Sequence, residues 1–119
     1  LVLDDMLSSG DSLLDIATEL KRRKARRIFA AVTYALFTDG IGEFQKCYEE
    51  GIIDKIFATN LTYRRPELSE APWFVEVDMS KYIAKLIDAL NYDESLGVLV
   101  NPAQRIMNLI YRRNCGEKI

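Results

Sequence analysis

The chain opens with the stretch Leu1-Val2-Leu3-Asp4-Asp5-Met6-Leu7-Ser8-Ser9-Gly10-Asp11-Ser12-Leu13. Three apolar residues, two adjacent carboxylates, a loop of serine and glycine, and the start of a helix-like pattern follow one another without interruption. This order predicts a buried β-strand that ends in acid and turns directly into a helix. Open α/β sheets bind their ligands at the C-terminal ends of the strands, so we expect a binding site at this turn.

The acidic pair and the loop are suited to different parts of one ligand. Adjacent carboxylates repel each other when ionised, so a pair at a buried strand end indicates a functional role. One such role is to accept hydrogen bonds from the hydroxyl groups of a ligand. The backbone N–H groups of the loop are suited to an anion at the positive end of the next helix, and glycine lets the backbone approach that anion. A phosphorylated sugar would satisfy both halves. The predicted site comprises Asp4, Asp5, Ser8, Ser9, Gly10, Asp11 and Ser12.

A plainer alternative needs no ligand. The strand would end in a solvated acidic turn, and Ser12 would cap the helix that follows.

Composition excludes several other functions. The 119 residues suffice for one domain with a core, and 49% hydrophobic and 29% charged residues are typical of a soluble globular protein. The net charge of −2 argues against nucleic-acid binding. The most basic run, at residues 21–27, is explained by the favourable interaction of cations with the C-terminal end of a helix. The absence of histidine excludes His-dependent catalysis, and the two cysteines lack metal-site spacing. No signal peptide or membrane span is predicted, so we expect a cytoplasmic protein without a membrane partner.

Hydrophobic periodicity predicts alternating strands and helices after the first strand. Helices are expected at residues 12–24, 41–51 and 79–90 and from residue 101 onward, and strands at residues 27–33, 55–59 and 73–77. This order predicts an α/β fold, a three-layer sandwich with a largely parallel sheet. Right-handed crossovers would place all strand C-termini on one edge. Trp73 opens a strand and is expected to pack while remaining partly exposed.

The first segment resembles the phosphoribosyl-pyrophosphate-binding motif of phosphoribosyltransferase-fold families. That motif has an apolar strand, two acids, two mostly apolar residues, and a loop of Thr/Ser, Gly and Thr/Ser. The wider chain resembles the C-terminal half of the ribose-phosphate diphosphokinases, or phosphoribosyl pyrophosphate synthetases. The resemblance is carried by Ala30-Ala31-Val32-Thr33-Tyr34, Leu36-Phe37-Thr38, Asp54-Lys55-Ile56-Phe57-Ala58-Thr59-Asn60 and Asn91-Tyr92-Asp93-Glu94-Ser95-Leu96.

Two departures from the family pattern concern the site. Tyr34-Ala35 stands where the family often has His-Gly, and the loop reads Ser-Gly-Asp-Ser instead of Thr-Gly-Gly-Thr. A carboxylate at Asp11 would repel a phosphate, so we expect it to point to solvent and to contribute only its N–H.

The resemblance implies an activity, a cofactor and partners. The family transfers diphosphate from ATP to C1 of ribose 5-phosphate, with Mg²⁺, and commonly forms homo-oligomers. Residues 1–119 would be one domain, the C-terminal ribose 5-phosphate-binding half of a longer two-domain protein. Asp4 would contact the ribose with support from Asp5, and the loop would hold the 5′-phosphate. The ATP site and the catalytic residues would lie upstream, so the isolated chain is expected to be catalytically silent.

Two other functions fit the same residues. A phosphoribosyltransferase of nucleotide salvage or synthesis shares the loop but adds a nucleobase-binding hood. A non-catalytic regulatory relative of the synthetase would also tolerate the altered loop.

Overall fold

The computed structural model describes residues 1–116, apart from the surroundings of the Val98 and Arg105 side chains. The chain divides into two compact units, Leu1–Met79 and Ser80–Ile119. The first unit contains the sheet and the predicted site.

The first unit is built on a four-stranded parallel sheet. The strands are β1 (Val2–Leu7), β2 (Phe29–Ala35), β3 (Lys55–Thr59) and β4 (Phe74–Val77), and they lie side by side in chain order. All three neighbouring pairs are parallel, so the C-terminal ends of the strands share one edge. The predicted α/β class and parallel sheet are confirmed.

The core of this unit lies on one face of the sheet. Alternate residues Ala30 and Val32 of β2, and Ile56 and Ala58 of β3, are buried there. The helices α1 (Asp11–Arg22) and α2 (Gly42–Glu49) and a 3₁₀ helix at Pro66–Ser69 contribute to the same cluster. This follows from chain order, because right-handed crossovers between successive strands place their helices on the same face.

Trp73 sits at the centre of this core, and the expectation of partial exposure is wrong. Its side chain is fully buried. Its ring stacks on Phe44 with centroids 5.6 Å apart, and its Nε1–H donates to Gln45 Oε1 at 2.8 Å. A buried indole needs a partner for its N–H, and helix α2 supplies one.

The prediction of a buried β1 is also wrong. β1 is an edge strand, and Leu1, Leu3 and Met6 are 79%, 71% and 53% exposed. The strand does not end at its acids but continues through both to Leu7. An apolar run predicts a buried strand only if another strand pairs on each side, and within residues 1–116 only β2 pairs with β1.

The second unit is helical. It contains α3 (Ser80–Asn91), α4 (Gly97–Val100) and α5 (Ala103–Asn114), and within it Tyr82 Oη donates to the backbone oxygen of Leu99. The last helix begins near the predicted position, whereas α4 and the 3₁₀ helix of the first unit were not predicted. No helix among the described residues is long and apolar enough to cross a membrane.

The Asp54 carboxylate links the starts of β2 and β3 by hydrogen bonds. Asp54 Oδ2 accepts the Ile28 N–H at 2.7 Å, the Asp54 N–H donates to the Ile28 oxygen at 2.8 Å, and Arg27 Nε donates to Asp54 Oδ1 at 3.2 Å. The Ile28 hydrogen bond, helped by Arg27, lowers the pKa of the Asp54 carboxyl despite the opposing effect of its partial burial.

This pairing predicts a pH-dependent contribution to stability. Because the folded-state pKa of Asp54 lies below the unfolded value of about 3.9, the stabilisation is present above that pH and is lost as the pH falls through the folded-state pKa. We expect Asp54→Asn to lower the free energy of unfolding by about 1 kcal/mol at pH 7, with the deficit shrinking below about pH 4. Urea denaturation over a pH series measures this. Asp15→Asn, an exposed carboxylate on α1, is the control, and a deficit for Asp54→Asn that did not vary with pH would contradict the assignment.

Candidate ligand-binding site

A cavity of about 160 Å³ opens where β1 turns into α1. Six of the seven predicted site residues line it, and Asp5 does not. The lining consists of Asp4, Met6, Leu7, Ser8, Ser9, Gly10, Asp11, Ser12, Leu13 and Val32.

Hydrogen bonds to the segment after β2 hold the start of the loop in place. The Leu36 N–H donates to the Leu7 oxygen at 2.8 Å, and the Thr38 N–H donates to the Ser8 oxygen at 3.0 Å. The chain therefore leaves the sheet edge in a fixed direction before it reaches Gly10.

Gly10 makes the turn that starts helix α1. Its φ of +101° lies in the left-handed region, which side chains rarely adopt. A Cβ built there would overlap Phe44 Cζ and lie 2.8 and 2.9 Å from Phe44 Cε2 and Cε1. Glycine is therefore required at this position on two independent grounds.

The N-terminus of α1 faces the cavity without a side-chain cap. Gly10 is the N-cap, its carbonyl accepts the Leu14 N–H at 2.9 Å, and no side chain caps this end of the helix. The alternative in which Ser12 caps the helix is therefore wrong. The N–H groups of the first helical turn have no partner within the helix, which leaves them available to an anion.

The side chains of Ser9 and Asp11 form a hydrogen bond within the loop. Ser9 Oγ donates to Asp11 Oδ2 at 3.0 Å, and the Asp11 side chain is exposed. The exposure agrees with the expectation that the Asp11 carboxylate points to solvent. The hydrogen bond also means that the Ser9 hydroxyl donates to a carboxylate and not into the cavity.

The two adjacent carboxylates of β1 are separated by the geometry of the strand. Successive side chains of a strand point to opposite faces, so Asp4 lines the cavity beside its register partner Val32 while Asp5 does not. Asp4 Oδ1 also accepts the Asp5 N–H at 2.8 Å. Sequence reasoning treated the pair as one unit and missed Val32, which reaches the cavity only through the pairing of β2 with β1.

The cavity is acidic, since its lining contains two carboxylates and no lysine or arginine. An anion bound there would be attracted by the backbone N–H groups and the helix dipole and repelled by the two carboxylates, and an accompanying cation would offset that repulsion. No group of three or more His, Cys, Asp or Glu side chains able to hold a metal ion occurs in the described part of the chain. Asp4 fits a partial magnesium shell, because Mg²⁺ is commonly held by one or two carboxylates with water and substrate phosphates.

The fold and the cavity together define a parallel α/β protein with an uncapped helix N-terminus beside a strand carboxylate. The family model for the phosphoribosyl synthetase-associated domain matches residues 1–101. The chain therefore belongs to this family, and the resemblance of the wider chain to the phosphoribosyl pyrophosphate synthetases is confirmed.

Curated relatives agree with this assignment. The chain is 27% identical over 100 residues to a ribose-phosphate pyrophosphokinase of Vibrio cholerae, covering 84% of this chain and 31% of the relative. It is 28% identical over 101 residues to a ribose-phosphate pyrophosphokinase of Haemophilus influenzae, covering 85% and 31%. It is 28% identical over 99 residues to phosphoribosyl pyrophosphate synthase-associated protein 2 of Xenopus tropicalis, covering 83% and 27%.

A solved structure confirms the fold. The phosphoribosylpyrophosphate synthetase of Mycobacterium smegmatis superposes with a TM-score of 0.66 at 18% identity, covering 76% of this chain and 29% of that one. The chain thus spans about 31% of the length of the bacterial pyrophosphokinases it matches.

The geometry at Gly10 gives a test with a matched control. Gly10→Ala combines a strained φ with overlap on Phe44, whereas Gly40→Ala has a φ of +88° but nothing within 4 Å of the added Cβ. We expect Gly10→Ala to lower the free energy of unfolding by about 1–3 kcal/mol more than Gly40→Ala does, the cost of overpacking a core. Equal losses in chemical denaturation would show that the Phe44 ring yields at no cost.

Proposed function

We propose that this chain is the ribose 5-phosphate-binding part of a ribose-phosphate diphosphokinase. The whole enzyme would transfer diphosphate from ATP to C1 of ribose 5-phosphate, giving phosphoribosyl pyrophosphate and AMP. Residues 1–119 would be the C-terminal half of that longer protein, and the remaining substrate and catalytic groups would come from outside this chain.

One observation carries the proposal: the uncapped N-terminus of α1 and the Asp4 carboxylate open onto the same cavity. An anion and a set of hydroxyl groups need opposite hydrogen-bonding partners. The helix end offers donors and Asp4 offers an acceptor, so a phosphate and a pentose joined in one molecule match the two ends of the cavity.

Within this site each residue has a proposed role. Asp4 accepts hydrogen bonds from the ribose hydroxyls, and Asp5, whose side chain lies outside the cavity, acts through Asp4, which accepts its N–H. The loop residues surround the 5′-phosphate through their backbone N–H groups. These are Ser8, Ser9, Gly10, Asp11 and Ser12.

A magnesium ion fits this arrangement through the Asp4 oxygens. When bound, it would offset the repulsion between the phosphate and the acidic lining. Transfer of a phosphoryl group depends on positioning and charge neutralisation, and no lysine or arginine whose side chain the structure describes lines the cavity. The chain by itself would therefore bind ribose 5-phosphate without turning over ATP.

The cellular setting follows from the same assignment. We place the protein in the cytoplasm, where Cys47 and Cys115, which form no disulfide, would remain reduced. A homo-oligomer is expected from the family resemblance, and neither nucleic acid nor a membrane is expected as a partner.

A second function is favoured by one relative. The Xenopus tropicalis protein bears the name of a synthase-associated protein, and the family description uses the same word. Such a partner of the enzyme would tolerate the altered loop, in which Asp11 stands where the enzymes have glycine and accepts a hydrogen bond from Ser9. An activity assay on the intact protein separates the two functions, since only the enzyme forms phosphoribosyl pyrophosphate.

Calorimetric titration of the full chain with ribose 5-phosphate tests the site. We expect Asp4→Asn to weaken binding about tenfold, because a hydrogen bond to a charged group is worth about 1.5 kcal/mol. Asp5→Asn is the matched control, since it makes the same change one residue away on the opposite face, and it should retain wild-type affinity. Failure of the wild-type chain to bind, or equal weakening by both variants, would refute the proposal.

Removing the Asp11 carboxylate is expected to strengthen ligand binding, whereas removing the Asp4 carboxylate weakens it. A negative charge about 6 Å from a phosphate costs roughly 0.7 kcal/mol in a water-like dielectric. Asp11→Gly should therefore tighten ribose 5-phosphate binding about threefold in the same titration, and it also releases the Ser9 hydroxyl. Asp15→Asn, which removes one charge farther along α1, is the control. A clear loss of affinity in Asp11→Gly would show that the carboxylate helps to hold the ligand.

A further inference from the structure

We infer that Phe44 is a positioning residue for the anion-binding loop, because its ring sets the backbone conformation of Gly10 and so the direction of the N–H groups at the start of α1. The inference rests on the proposed function for the identity of the ligand. The contact between Phe44 and Gly10 is a property of the chain itself.

The Phe44 ring meets Gly10 end-on. Three atoms of its outer edge, Cζ, Cε2 and Cε1, are the nearest neighbours of the position that a Cβ on Gly10 would occupy. Gly10 is buried although both neighbouring loop residues are at least partly exposed. The loop therefore rests on the ring at the one residue where its backbone turns.

Phe44 is held from several sides and cannot move away freely. Its side chain is 1% exposed. The ring stacks on Trp73 at an interplanar angle of 23° and meets Phe37 edge-on with centroids 5.0 Å apart. Trp73 is in turn fixed by its hydrogen bond to Gln45, the next residue of α2. Interiors are close-packed, so a displacement of Phe44 would disturb all three aromatic rings.

This arrangement connects the hydrophobic core to the chemistry of the cavity. Phe44 does not line the cavity, so it acts through Gly10 and would not touch a ligand. With the ring in place, the turn at Gly10 cannot sink toward the core, and the N–H groups that follow remain directed outward. A smaller side chain would leave space beneath the loop, and the backbone would settle into it.

The size of the ring matters as much as its presence. A hydroxyl added at Cζ by Phe44→Tyr would extend directly toward Gly10, where no room remains. Phe44→Leu leaves a void beneath the loop, whereas the longer and more flexible side chain in Phe44→Met reaches into the same space.

A double-mutant cycle on the full chain measures the contact without a ligand. Gly10→Ala should shift the urea midpoint about half as far in a Phe44→Leu background as in the wild type, because the ring that opposes the added Cβ is gone. The strained φ of Gly10 remains in both backgrounds and cancels from the comparison. Equal shifts in the two backgrounds would overturn the inference.

Backbone N–H residual dipolar couplings and ligand affinity test the positioning role itself, because these couplings report the direction of each N–H bond and do not depend on the ring current of Phe44. Phe44→Leu should change the couplings of Gly10, Asp11 and Ser12 and weaken ribose 5-phosphate binding about tenfold, with partial rescue in Phe44→Met. The control is Phe57→Leu, since Phe57 is a half-buried phenylalanine of β3 whose ring packs on Phe29 at 6.4 Å, and it should leave these couplings and the affinity unchanged. Unchanged loop couplings in Phe44→Leu, or the same changes in Phe57→Leu, would show that Phe44 serves only stability.

The experiments test the proposed function and the role of Phe44 independently of each other. A wild-type chain that does not bind ribose 5-phosphate refutes the proposed function. The midpoint shifts and the N–H residual dipolar couplings still decide whether Phe44 positions the loop, because neither measurement uses the ligand.

Discussion

The register between β1 and β2 places the strand residues of the cavity. β1 pairs with β2 from Val2 opposite Ala30 to Leu7 opposite Ala35. This pairing puts Asp4 beside Val32 on the cavity side and brings the chain out of the sheet at Ser8. A slip of one residue would exchange the faces of Asp4 and Asp5. The chemistry of the site thus depends on backbone hydrogen bonds that carry no specificity of their own.

The aromatic cluster extends this control from the sheet to the loop. Phe37, Phe44 and Trp73 come from three different parts of the first unit and meet beneath Gly10. A glycine with positive φ allows the tight turn, and the ring below prevents other turns. Binding loops are often described as mobile segments on a rigid scaffold. Here one residue of the loop is itself part of the packed core.

Charge explains why the site suits a ligand of mixed character. Six of the 16 lysines and arginines of the sequence lie within residues 21–27, between the end of α1 and the start of β2, at the opposite end of the parallel strands from the cavity. The cavity is lined by the N-terminus of α1 and by two carboxylates, Asp4 on β1 and Asp11 in the first turn of the helix. A simple anion would meet the two carboxylates as well as the N–H groups, whereas a phosphate joined to a polyol, accompanied by a cation, suits both kinds of group.

The sequence by itself determined the α/β class, the parallel sheet, the position of the turn after β1 and six of the seven cavity residues proposed. Those features follow from short-range patterns of apolar spacing, glycine and hydroxyl residues, which act over one turn or one strand. Only the tertiary structure decided that β1 lies at an edge, that Val32 joins the lining of the cavity, that Trp73 is fully buried and that Phe44 contacts Gly10. These depend on which strands pair and which helices pack together, contacts between residues up to several dozen positions apart that no local pattern specifies.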